Sequence, residues 1–488
     1  MARYDTLDRL YIGGDWRSAS TGDTAPTVNP FTDETIFEVA QASEDDVDAA
    51  YRAAEAAQAE WIEVPPQERQ AILARAAEVM DERREEIVGW LVKESGSTVV
   101  KAGLELDNAI GITQEAASFP LRMEGALFPS TIPGKQNRVY RVPVGVVGVI
   151  SPWNFPFHLS MRSVAPALGA GNGVVLKPAS NTPVTGGTLL AAIFEEAGLP
   201  GGLFNVIPGS GSKIGDAVVA HPVPRVISFT GSTQVGRGIA ELAGKHLKQV
   251  ELELGGNNVM LVLDDADLDQ AARAAAFGKF LHQGQICIAL NRIVVQDSVA
   301  DAFTERFLSV VKDLQAGDPS DDETLVGPII DDDQIESVME ILEDTKKAGA
   351  TVALGGERDG RVIEPTVLTG VTQDMPAAMQ EIFGPVAPIL TFETDDDAIE
   401  IANATDYGLS GSVFTGDTER GLRLARRVKT GMIHVNDMSV NDEPHVAFGG
   451  MGASGIGRFG GRWVLDAFTT SQWVSIQHQP REYPLNGA

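Results

Sequence analysis

The chain has 488 residues, of which 43% are hydrophobic, and this length predicts two or three folded domains rather than a single core. Its 68 acidic residues outnumber its 38 basic residues, so the formal net charge is −30 and repulsion disfavours nucleic acids and anionic membranes as partners. The single cysteine, Cys287, excludes an intrachain disulfide and a multi-cysteine metal site, and no metal centre is expected.

The sequence shows no sign of a membrane or secretion segment. Its longest apolar run, residues 142–150, is interrupted by Pro143, Gly145 and Gly148 and falls short of the roughly 18–20 residues that a membrane span needs. Residues 1–10 are polar and charged and lack an apolar signal region, which predicts a cytoplasmic protein. The acidic runs have two explanations: adaptation to high salt, where screening relieves the repulsion, or simple solubility.

The first part of the chain is predicted to be helical. Glu44 opens an alanine-rich run that extends to Trp61, and after Pro65 a pattern of period 3.6 continues from Glu68 to Glu94, where Gly96 can end it. From residue 142 onward, strands and helices alternate. Strands are predicted at 144–150, 173–176, 204–207, 226–229 and 249–252, and helices at 156–170, 185–197, 212–220 and 233–243.

Short strands that alternate with helices predict a parallel sheet with right-handed crossovers, which is a doubly wound domain of the nucleotide-binding type. A second βα series from 260 to about 435 predicts a second α/β domain. The tail from Gln472 onward mixes apolar and polar residues with Pro480 and Pro484, which is typical of an extended arm rather than a core element.

Two glycine turns are candidates for binding phosphate. The segments 229–236 and 208–215 each run from a strand through a glycine turn into a helix, where free N–H groups and the helix dipole favour an anion. Neither has the GxGxxG spacing of the usual dinucleotide fingerprint, so each alone is equally an ordinary turn. Lys177, at the end of a predicted strand, adds a positive charge at the edge of the sheet where ligands bind.

Cys287 is the candidate nucleophile, although a lone cysteine is more often a small buried apolar residue. Glu253 ends a predicted strand beside two glycines and is a candidate general base for a thiol or a water. His282 is only five residues before Cys287, and a cysteine–histidine dyad between them is disfavoured.

Seven motifs resemble the signature set of the aldehyde dehydrogenase superfamily. They occur in the family's order over roughly residues 10–473, and the 34 positions between Glu253 and Cys287 also match. The motifs are Pro152-Trp153-Asn154-Phe155-Pro156, Leu176-Lys177-Pro178-Ala179, Phe229-Thr230-Gly231-Ser232, Glu253-Leu254-Gly255-Gly256, Gln283-Gly284-Gln285-Ile286-Cys287, Glu381-Ile382-Phe383-Gly384-Pro385 and Phe448-Gly449-Gly450 through Ser454-Gly455.

The resemblance implies an NAD(P)-dependent oxidation of an aldehyde to a carboxylic acid. Cys287 would attack the aldehyde carbon, and the side-chain amide of Asn154 and the backbone N–H of Cys287 would hold the oxyanion. Glu253 would activate the water that hydrolyses the thioester, and its presence favours a free acid over a coenzyme A ester. The implied dinucleotide contacts are Pro152, Trp153, Lys177, Ser180, Gly211, Gly215, Phe229, Gly231, Ser232, Val235, Leu254, Glu381 and Phe383.

The resemblance also implies an architecture of two doubly wound α/β domains with a small β oligomerisation arm. The dinucleotide-binding domain is expected at 1–121 and 143–254, the catalytic domain at 255–453, and the arm at 122–142 and 470–488. Because the family usually forms dimers or dimers of dimers, a homodimer or homotetramer is expected, with the arm covering exposed strand edges.

Three positions depart from the family's pattern. Many NAD-specific members have a glutamate three residues after the lysine, where this chain has Ser180. A carboxylate there would repel a 2′-phosphate and a serine would not, so NADP is expected to be accepted or even preferred. Phe459 stands where many relatives have a glutamate that assists proton relay, which leaves Glu253 as the only obvious base, and Gly452 replaces a common lysine.

Three segments, 153–162, 280–287 and 443–461, resemble the benzaldehyde, hydroxybenzaldehyde and vanillin dehydrogenase branch. Aromatic and apolar walls suit an aromatic aldehyde, and Arg162 would either meet a ring substituent or serve as a structural ion-pair partner. Aliphatic aldehydes and semialdehydes stay open as substrates. So do two other functions, a catalytically silent nucleotide-binding protein and a cofactor-free cysteine esterase. The expected pocket residues are Phe155, Leu159, Arg162, Ile286, Ile288 and Phe448.

Overall fold

The computed structural model describes residues 6–483, and these residues contain 22 β-strands and 15 α-helices. The strands are β1 Leu10–Ile12, β2 Asp15–Arg17, β3 Thr24–Val28, β4 Thr35–Ala40, β5 Ala126–Phe128, β6 Lys135–Pro143, β7 Val146–Ile150, β8 Gly173–Lys177, β9 Phe204–Val206, β10 Val226–Thr230, β11 Gln249–Glu253, β12 Asn258–Val262, β13 Leu290–Gln296, β14 Thr351–Leu354, β15 Arg358–Asp359, β16 Val362–Ile363, β17 Thr366–Thr369, β18 Val386–Phe392, β19 Gly411–Phe414, β20 His434–Val435, β21 Gly455–Ile456 and β22 Thr469–Gln477. The helices are α1 Glu44–Trp61, α2 Pro66–Glu82, α3 Arg84–Ser95, α4 Val99–Ala117, α5 Pro156–Gly169, α6 Leu189–Glu196, α7 Gly211–Ala220, α8 Thr233–Lys245, α9 Leu268–Phe280, α10 Ala300–Lys312, α11 Asp332–Lys347, α12 Pro376–Met379, α13 Asp395–Asn403, α14 Thr418–Ala425 and α15 Gly461–Ala467.

The first large sheet has eight strands, and its five central strands are parallel in the order β9-β8-β7-β10-β11. Successive residues of β7 point to opposite faces of this sheet. Val146 packs in one apolar cluster with α1 and α7, and Val147 packs in another with α2 to α6. Both faces are therefore buried, as a doubly wound sheet requires.

The second large sheet has seven strands in the order β14-β17-β18-β13-β12-β19-β20, and all its neighbours are parallel except β14 and β17. Its strands also bury alternate residues on both faces. In β12, Val259 joins the cluster that includes α11, and Met260 joins the cluster that includes α9 and α10. The predicted fold class, two α/β domains of the aldehyde dehydrogenase type, is confirmed.

A separate three-stranded antiparallel sheet has the order β22-β6-β5. All nine residues of β22 pair with β6, from Thr469 with Pro143 to Gln477 with Lys135. The sheet thus joins two segments that are far apart in the chain, near residues 122–143 and after residue 469. Residues 484–488 of the expected arm, like the first five residues of the expected dinucleotide-binding domain, lie outside the described residues.

Three sequence-based assignments of helices were incomplete. The helix predicted from Glu68 to Glu94 is two helices, because Arg83 leaves the helical region at φ −108° and ψ 19°. Gly96 ends the second of them in a left-handed conformation at φ 64°, which is the role expected for a glycine after a helix. The helix α4 was not predicted, and the predicted helix 185–197 starts with a π turn, Val184–Thr188.

Residues 6–483 lack two features, a membrane-spanning helix and a cluster of metal-ligating side chains. No helix there combines the length and apolar character needed to cross a bilayer. No group of three or more His, Cys, Asp or Glu side chains in the same range is placed to hold a metal ion.

Candidate active site

A cavity of about 270 Å³ lies where the two large sheets face each other. Three of the loops that line it follow the carboxyl ends of β7, β10 and β11, and two others precede the amino ends of β13 and β18. In the first sheet the strand order reverses between β7 and β10, and ligands bind at such a switch point in doubly wound folds. The topology therefore places the carboxyl edge of the first sheet and the amino edge of the second sheet around one cavity.

Cys287 reaches this cavity from a tightly held loop between α9 and β13. His282 and Gln283 adopt left-handed backbone conformations, with φ of 50° and 56°, which non-glycine residues rarely do. Side-chain amides fix the loop. Asn258 Nδ2 donates to the carbonyl of Cys287 at 2.7 Å, and Gln283 Nε2 donates to the carbonyl of Pro328 at 2.8 Å.

Asn154 follows β7 and lies beside the same loop. Its Nδ2 donates one hydrogen bond to the carbonyl of Gln285 at 2.8 Å, so the second N–H of this amide has no partner among the described residues, and Asn154 lines the cavity together with Cys287. Its own carbonyl accepts from Lys101 Nζ at 2.7 Å, and Lys101 also contacts Glu105 Oε2 at 2.5 Å. Both charged side chains are fully buried, and this ion pair holds Asn154 in place at the start of α5.

Two donors can meet an oxygen next to Cys287. One is the second amide N–H of Asn154, and the other is the backbone N–H of Cys287, which donates to no group among residues 6–483. Burial raises the pKa of the Cys287 thiol to about 12, and the Arg162 guanidinium opposes this shift. The thiol therefore needs a base when it reacts.

Glu253 is the carboxylate that could serve as that base. It is 2% exposed, and neither of its side-chain oxygens has a hydrogen-bond partner among the described residues. Burial raises its pKa to about 8, against the opposing charges of Arg162 and Arg458. A buried carboxylate with this pKa, lining the same cavity as Cys287, is suited to take up a proton near neutral pH.

The cavity is shaped by close approaches that glycine permits. A Cβ on Gly255 would lie 2.2 Å from Glu381 Oε2, and Glu381 Oε1 accepts from the backbone N–H of Gly256 at 2.9 Å. A Cβ on Gly231 would lie 2.5 Å from Phe229 Cζ. Seven of the predicted dinucleotide contacts line the cavity: Pro152, Trp153, Gly231, Ser232, Leu254, Glu381 and Phe383.

The other six predicted contacts lie away from the cavity lining. Lys177, at the carboxyl end of β8, is buried, donates to the carbonyl of Pro178 at 3.1 Å, and has its pKa lowered to about 8 by burial. The remaining five lie on the same sheet or at the helices that follow its strands: Ser180, Gly211, Gly215, Phe229 and Val235.

A second, smaller cavity of about 60 Å³ lies on the other side of Cys287 and Asn154, which line both spaces. All six residues expected in the aldehyde pocket line it. Arg162 is an ion-pair partner, since Nη2 donates to Asp442 Oδ2, but its Nη1 has no partner among the described residues. Its guanidinium carbon lies 3.9 Å from the centre of the Phe448 ring.

The structure shows the surroundings of two positions that depart from the family's pattern. Phe459 is buried, its backbone pairs with that of Phe448, and its ring packs against Phe468. A different carboxylate, Glu251, precedes Glu253 on the same face of β11, and burial raises its pKa to about 7. Gly452 has φ 62°, so a lysine there would carry backbone strain.

Sequence reasoning missed several residues that shape the site. Lys101 and Glu105 form an i, i+4 pair on α4, and the lysine–glutamate spacing was the available signal. The others are His158 and Asp442, which line the second cavity, and Glu251.

The whole chain is similar to known proteins. The sequence model described as "Aldehyde dehydrogenase family" matches residues 16–474. The vanillin dehydrogenase of Corynebacterium glutamicum is 54% identical over 468 residues, which are 96% of this chain and 97% of that protein. The benzaldehyde dehydrogenase YfmT of Bacillus subtilis is 50% identical over 484 residues, which are 99% of this chain and 100% of that protein.

Solved structures agree with the sequence comparison. The NAD-dependent benzaldehyde dehydrogenase from Corynebacterium glutamicum has a TM-score of 0.90 and 50% identity, with 98% of each chain covered. The betaine aldehyde dehydrogenase from Staphylococcus aureus, in complex with NAD+, has a TM-score of 0.95 and 32% identity, with 98% of this chain and 96% of that chain covered.

Proposed function

The chain belongs to the aldehyde dehydrogenase family, and on that premise we propose that it oxidises aromatic aldehydes to carboxylic acids with NAD or NADP. The observation that carries the proposal is the position of Cys287 at the junction of two cavities. One cavity has the lining expected for a nicotinamide nucleotide, and the other has aromatic and apolar walls. A nucleophile between them can reach an aldehyde held on one side and a hydride acceptor held on the other.

The residues of the larger cavity fit a dinucleotide. Main chain at Gly231 and Gly255 lines the space without a side chain in between, and the Glu381 carboxylate offers acceptors for ribose hydroxyls. Phe383 and Trp153 pack edge to face at 5.5 Å and can flank a planar ring. When bound, the oxidised nicotinamide supplies the acceptor for the hydride that leaves the substrate carbon.

In the first half of the reaction, the Cys287 sulfur attacks the aldehyde carbon, and Glu253 accepts the thiol proton because burial keeps that thiol protonated. The aldehyde oxygen gains negative charge as the bond forms. The free amide N–H of Asn154 and the backbone N–H of Cys287 are placed to hold it, and such donors contribute about 3–4 kcal/mol each to the transition state. Loss of hydride from this adduct leaves a thioester on Cys287.

In the second half, Glu253 first releases the thiol proton to solvent and then takes a proton from a water that attacks the thioester carbon. No group among residues 6–483 donates a hydrogen bond to its carboxylate that would weaken its basicity, and its raised pKa matches a base that works near neutral pH. The carbon–sulfur bond breaks, the acid leaves, and the Cys287 sulfur regains a proton.

An aromatic substrate is favoured by the walls of the smaller cavity. Phe155 and Phe448 provide ring faces, and Leu159, Ile286 and Ile288 are all buried apolar side chains that line the same space. The relatives named vanillin and benzaldehyde dehydrogenase support the same substrate class. A cofactor-free esterase is disfavoured because the larger cavity carries the residues that fit a nucleotide.

The test is the rise in absorbance at 340 nm with benzaldehyde and either NAD or NADP, at low and at high salt. We expect a rise that depends on Cys287 and yields one benzoate for each reduced nucleotide. A rise with aliphatic aldehydes alone would discard the aromatic substrate, and ester hydrolysis without any nucleotide reduction would favour the esterase.

We also propose that the enzyme is a homodimer or homotetramer held by the β5-β6-β22 sheet. Phe128 and Trp473, which are 53% and 65% exposed, share one face of this sheet, and Leu127 and Val474 share the other. A small sheet with apolar side chains exposed on both faces is typical of an interface. The domain limits given above are also part of what we propose. Light scattering of the purified protein tests the assembly.

The single cysteine supports the proposed cytoplasmic location. A catalytic thiol has to stay reduced, and the cytoplasm keeps thiols reduced. Fractionation of cells with an antibody against the protein tests this location.

A further inference from the structure

A cluster of three polar side chains lines the smaller cavity, in which the aldehyde would lie. Arg162 and His158 are one helical turn apart on α5, and Asp442 comes from the segment before β21. Arg162 is 5% exposed and His158 is 3% exposed. Asp442 Oδ2 accepts from Arg162 Nη2 and lies 2.9 Å from His158 Nε2.

The charges of this cluster fix the hydrogen positions on the histidine ring. Although burial acts in the opposite direction, the Arg162 guanidinium lowers the pKa of Asp442 to about 2, so this side chain is a carboxylate. Burial lowers the pKa of His158, so the ring is neutral. His158 Nε2 also lies 3.0 Å from Arg162 Nη2, but that nitrogen donates to Asp442 Oδ2. A lone pair on Nε2 would face the carboxylate, so the favoured tautomer has its hydrogen on Nε2 and its lone pair on Nδ1.

Two buried atoms of the cluster are left without a partner among residues 6–483. Arg162 Nη1 is a donor, and His158 Nδ1 is an acceptor. A buried polar atom without a hydrogen bond is costly, and it usually indicates a water or a ligand. Because both residues line the cavity that also contains Cys287, a ring held in that cavity lies beside the two side chains that carry the unpaired donor and the unpaired acceptor.

Resting on the proposed function, we propose that this cluster binds a hydroxyl group on the ring of an aromatic aldehyde. Arg162 Nη1 donates to the hydroxyl oxygen, and the hydroxyl proton is donated to His158 Nδ1. A hydroxyl is suited to both atoms because it accepts and donates at once. A methoxy group can only accept, and a carboxylate would set its lone pairs against His158 Nδ1 and its charge near Asp442.

The test compares kcat/KM for benzaldehyde, for 3- and 4-hydroxybenzaldehyde, and for the methyl ethers of the two hydroxy compounds. A hydroxyl and a methoxy group alter the intrinsic reactivity of the aldehyde to a similar extent, so their ratio isolates the hydrogen bond to His158. We expect the wild-type enzyme to prefer at least one hydroxy isomer over its ether and over benzaldehyde by about tenfold or more.

Matched variants separate the two contacts. His158→Leu should reduce the preference for hydroxyl over methoxy to about twofold or less, and His158→Gln should retain most of it because its amide can donate to Asp442 and still offer an oxygen. Arg162→Lys keeps a charge beside Asp442 but removes the forked donor. This variant should lower kcat/KM for the hydroxy and methoxy substrates to a similar extent, relative to kcat/KM for benzaldehyde.

The readout is the ratio of kcat/KM values, because a merely structural disturbance would lower kcat/KM for all substrates alike. Turnover of benzaldehyde without preference for either hydroxy isomer, or a hydroxyl-to-methoxy ratio unchanged in His158→Leu, would overturn the inference and leave the proposed function standing. Absence of nucleotide reduction with every aromatic aldehyde would instead count against the proposed function.

Discussion

The two cavities that meet at Cys287 differ in whether main chain or side chains form their walls. The larger one is shaped by strand ends and glycines, so main chain defines much of its wall, as at Gly231 and Gly255. The smaller one is shaped by side chains of α5 and of the loops around Cys287 and Asp442. A wall of main chain fits one invariant ligand, whereas a wall of side chains can be altered to suit a substrate. The difference explains how one fold keeps its nucleotide and changes its aldehyde.

The largest expected effect comes from the group shared by both cavities. Cys287→Ala should reduce aldehyde oxidation by at least about 10⁴-fold, because no other residue can form the covalent adduct. Nucleotide binding, followed by the fluorescence of reduced nucleotide, should persist because the other residues that line the larger cavity, such as Gly255 and Glu381, are unchanged. Loss of nucleotide binding in this variant would contradict the independence of the two cavities.

The next effect concerns the base. Glu253→Gln should lower kcat by about 10³-fold, because the thioester then lacks a group to activate water. Burial raises the pKa of Glu253 to about 8, and the carboxylate is the active form, so the wild-type kcat should increase as the pH rises through about 8. The variant should lack this increase. A wild-type profile that is flat between pH 6 and 9 would contradict the assignment.

A smaller effect is expected from the oxyanion donor. Asn154→Ala should lower kcat/KM by about 10²–10³-fold, which is the usual loss when one such donor is removed. Because the Asn154 amide also holds the carbonyl of Gln285, thermal unfolding must be measured alongside. Lys101→Met provides the comparison, since it disturbs the placement of Asn154 while leaving the amide in place. An equal loss in both variants would point to loop placement rather than to the donor.

Sequence patterns anticipated residues that line both cavities but not the polar cluster of the smaller one, for a physical reason. Strand ends, glycine turns and the order of motifs are local features, and the structure brings Pro152, Gly231, Glu253 and Cys287 together around one cavity. The alternation of strands and helices likewise predicted the two buried sheets. What failed was local helix length, as at Arg83, where a single residue leaves the helical region without a proline or glycine to mark it.

The polar end of the smaller cavity could not be predicted, because its members are distant in the chain. His158 and Asp442 are 284 positions apart, and only the fold brings them to 2.9 Å. The alternatives for Arg162, a ring-substituent contact or a structural ion pair, also could not be separated by sequence. The structure shows the ion pair through Nη2 and no partner for Nη1 within residues 6–483.

The smallest expected effect lies at the outer end of the nucleotide site, where side chains rather than main chain are expected to decide between NAD and NADP. Ser180 is exposed beyond the end of β8, near the buried Lys177. Ser180→Glu should lower the efficiency with NADP relative to NAD by about tenfold or more, because a carboxylate repels the 2′-phosphate. Burial lowers the pKa of Lys177 to about 8, so the affinity of the wild-type enzyme for NADP should decrease as the pH rises through about 8.

Ser180→Gln is the matched control for this change, since it adds a side chain of similar size without charge and should leave the ratio of the two nucleotides nearly unaltered. A wild-type efficiency with NAD more than about tenfold above that with NADP would contradict a preference for NADP. In that case the discrimination would have to come from main chain near the 2′-position, and this end of the nucleotide site would resemble the glycine-lined wall around Gly255 rather than the adaptable pocket around Arg162.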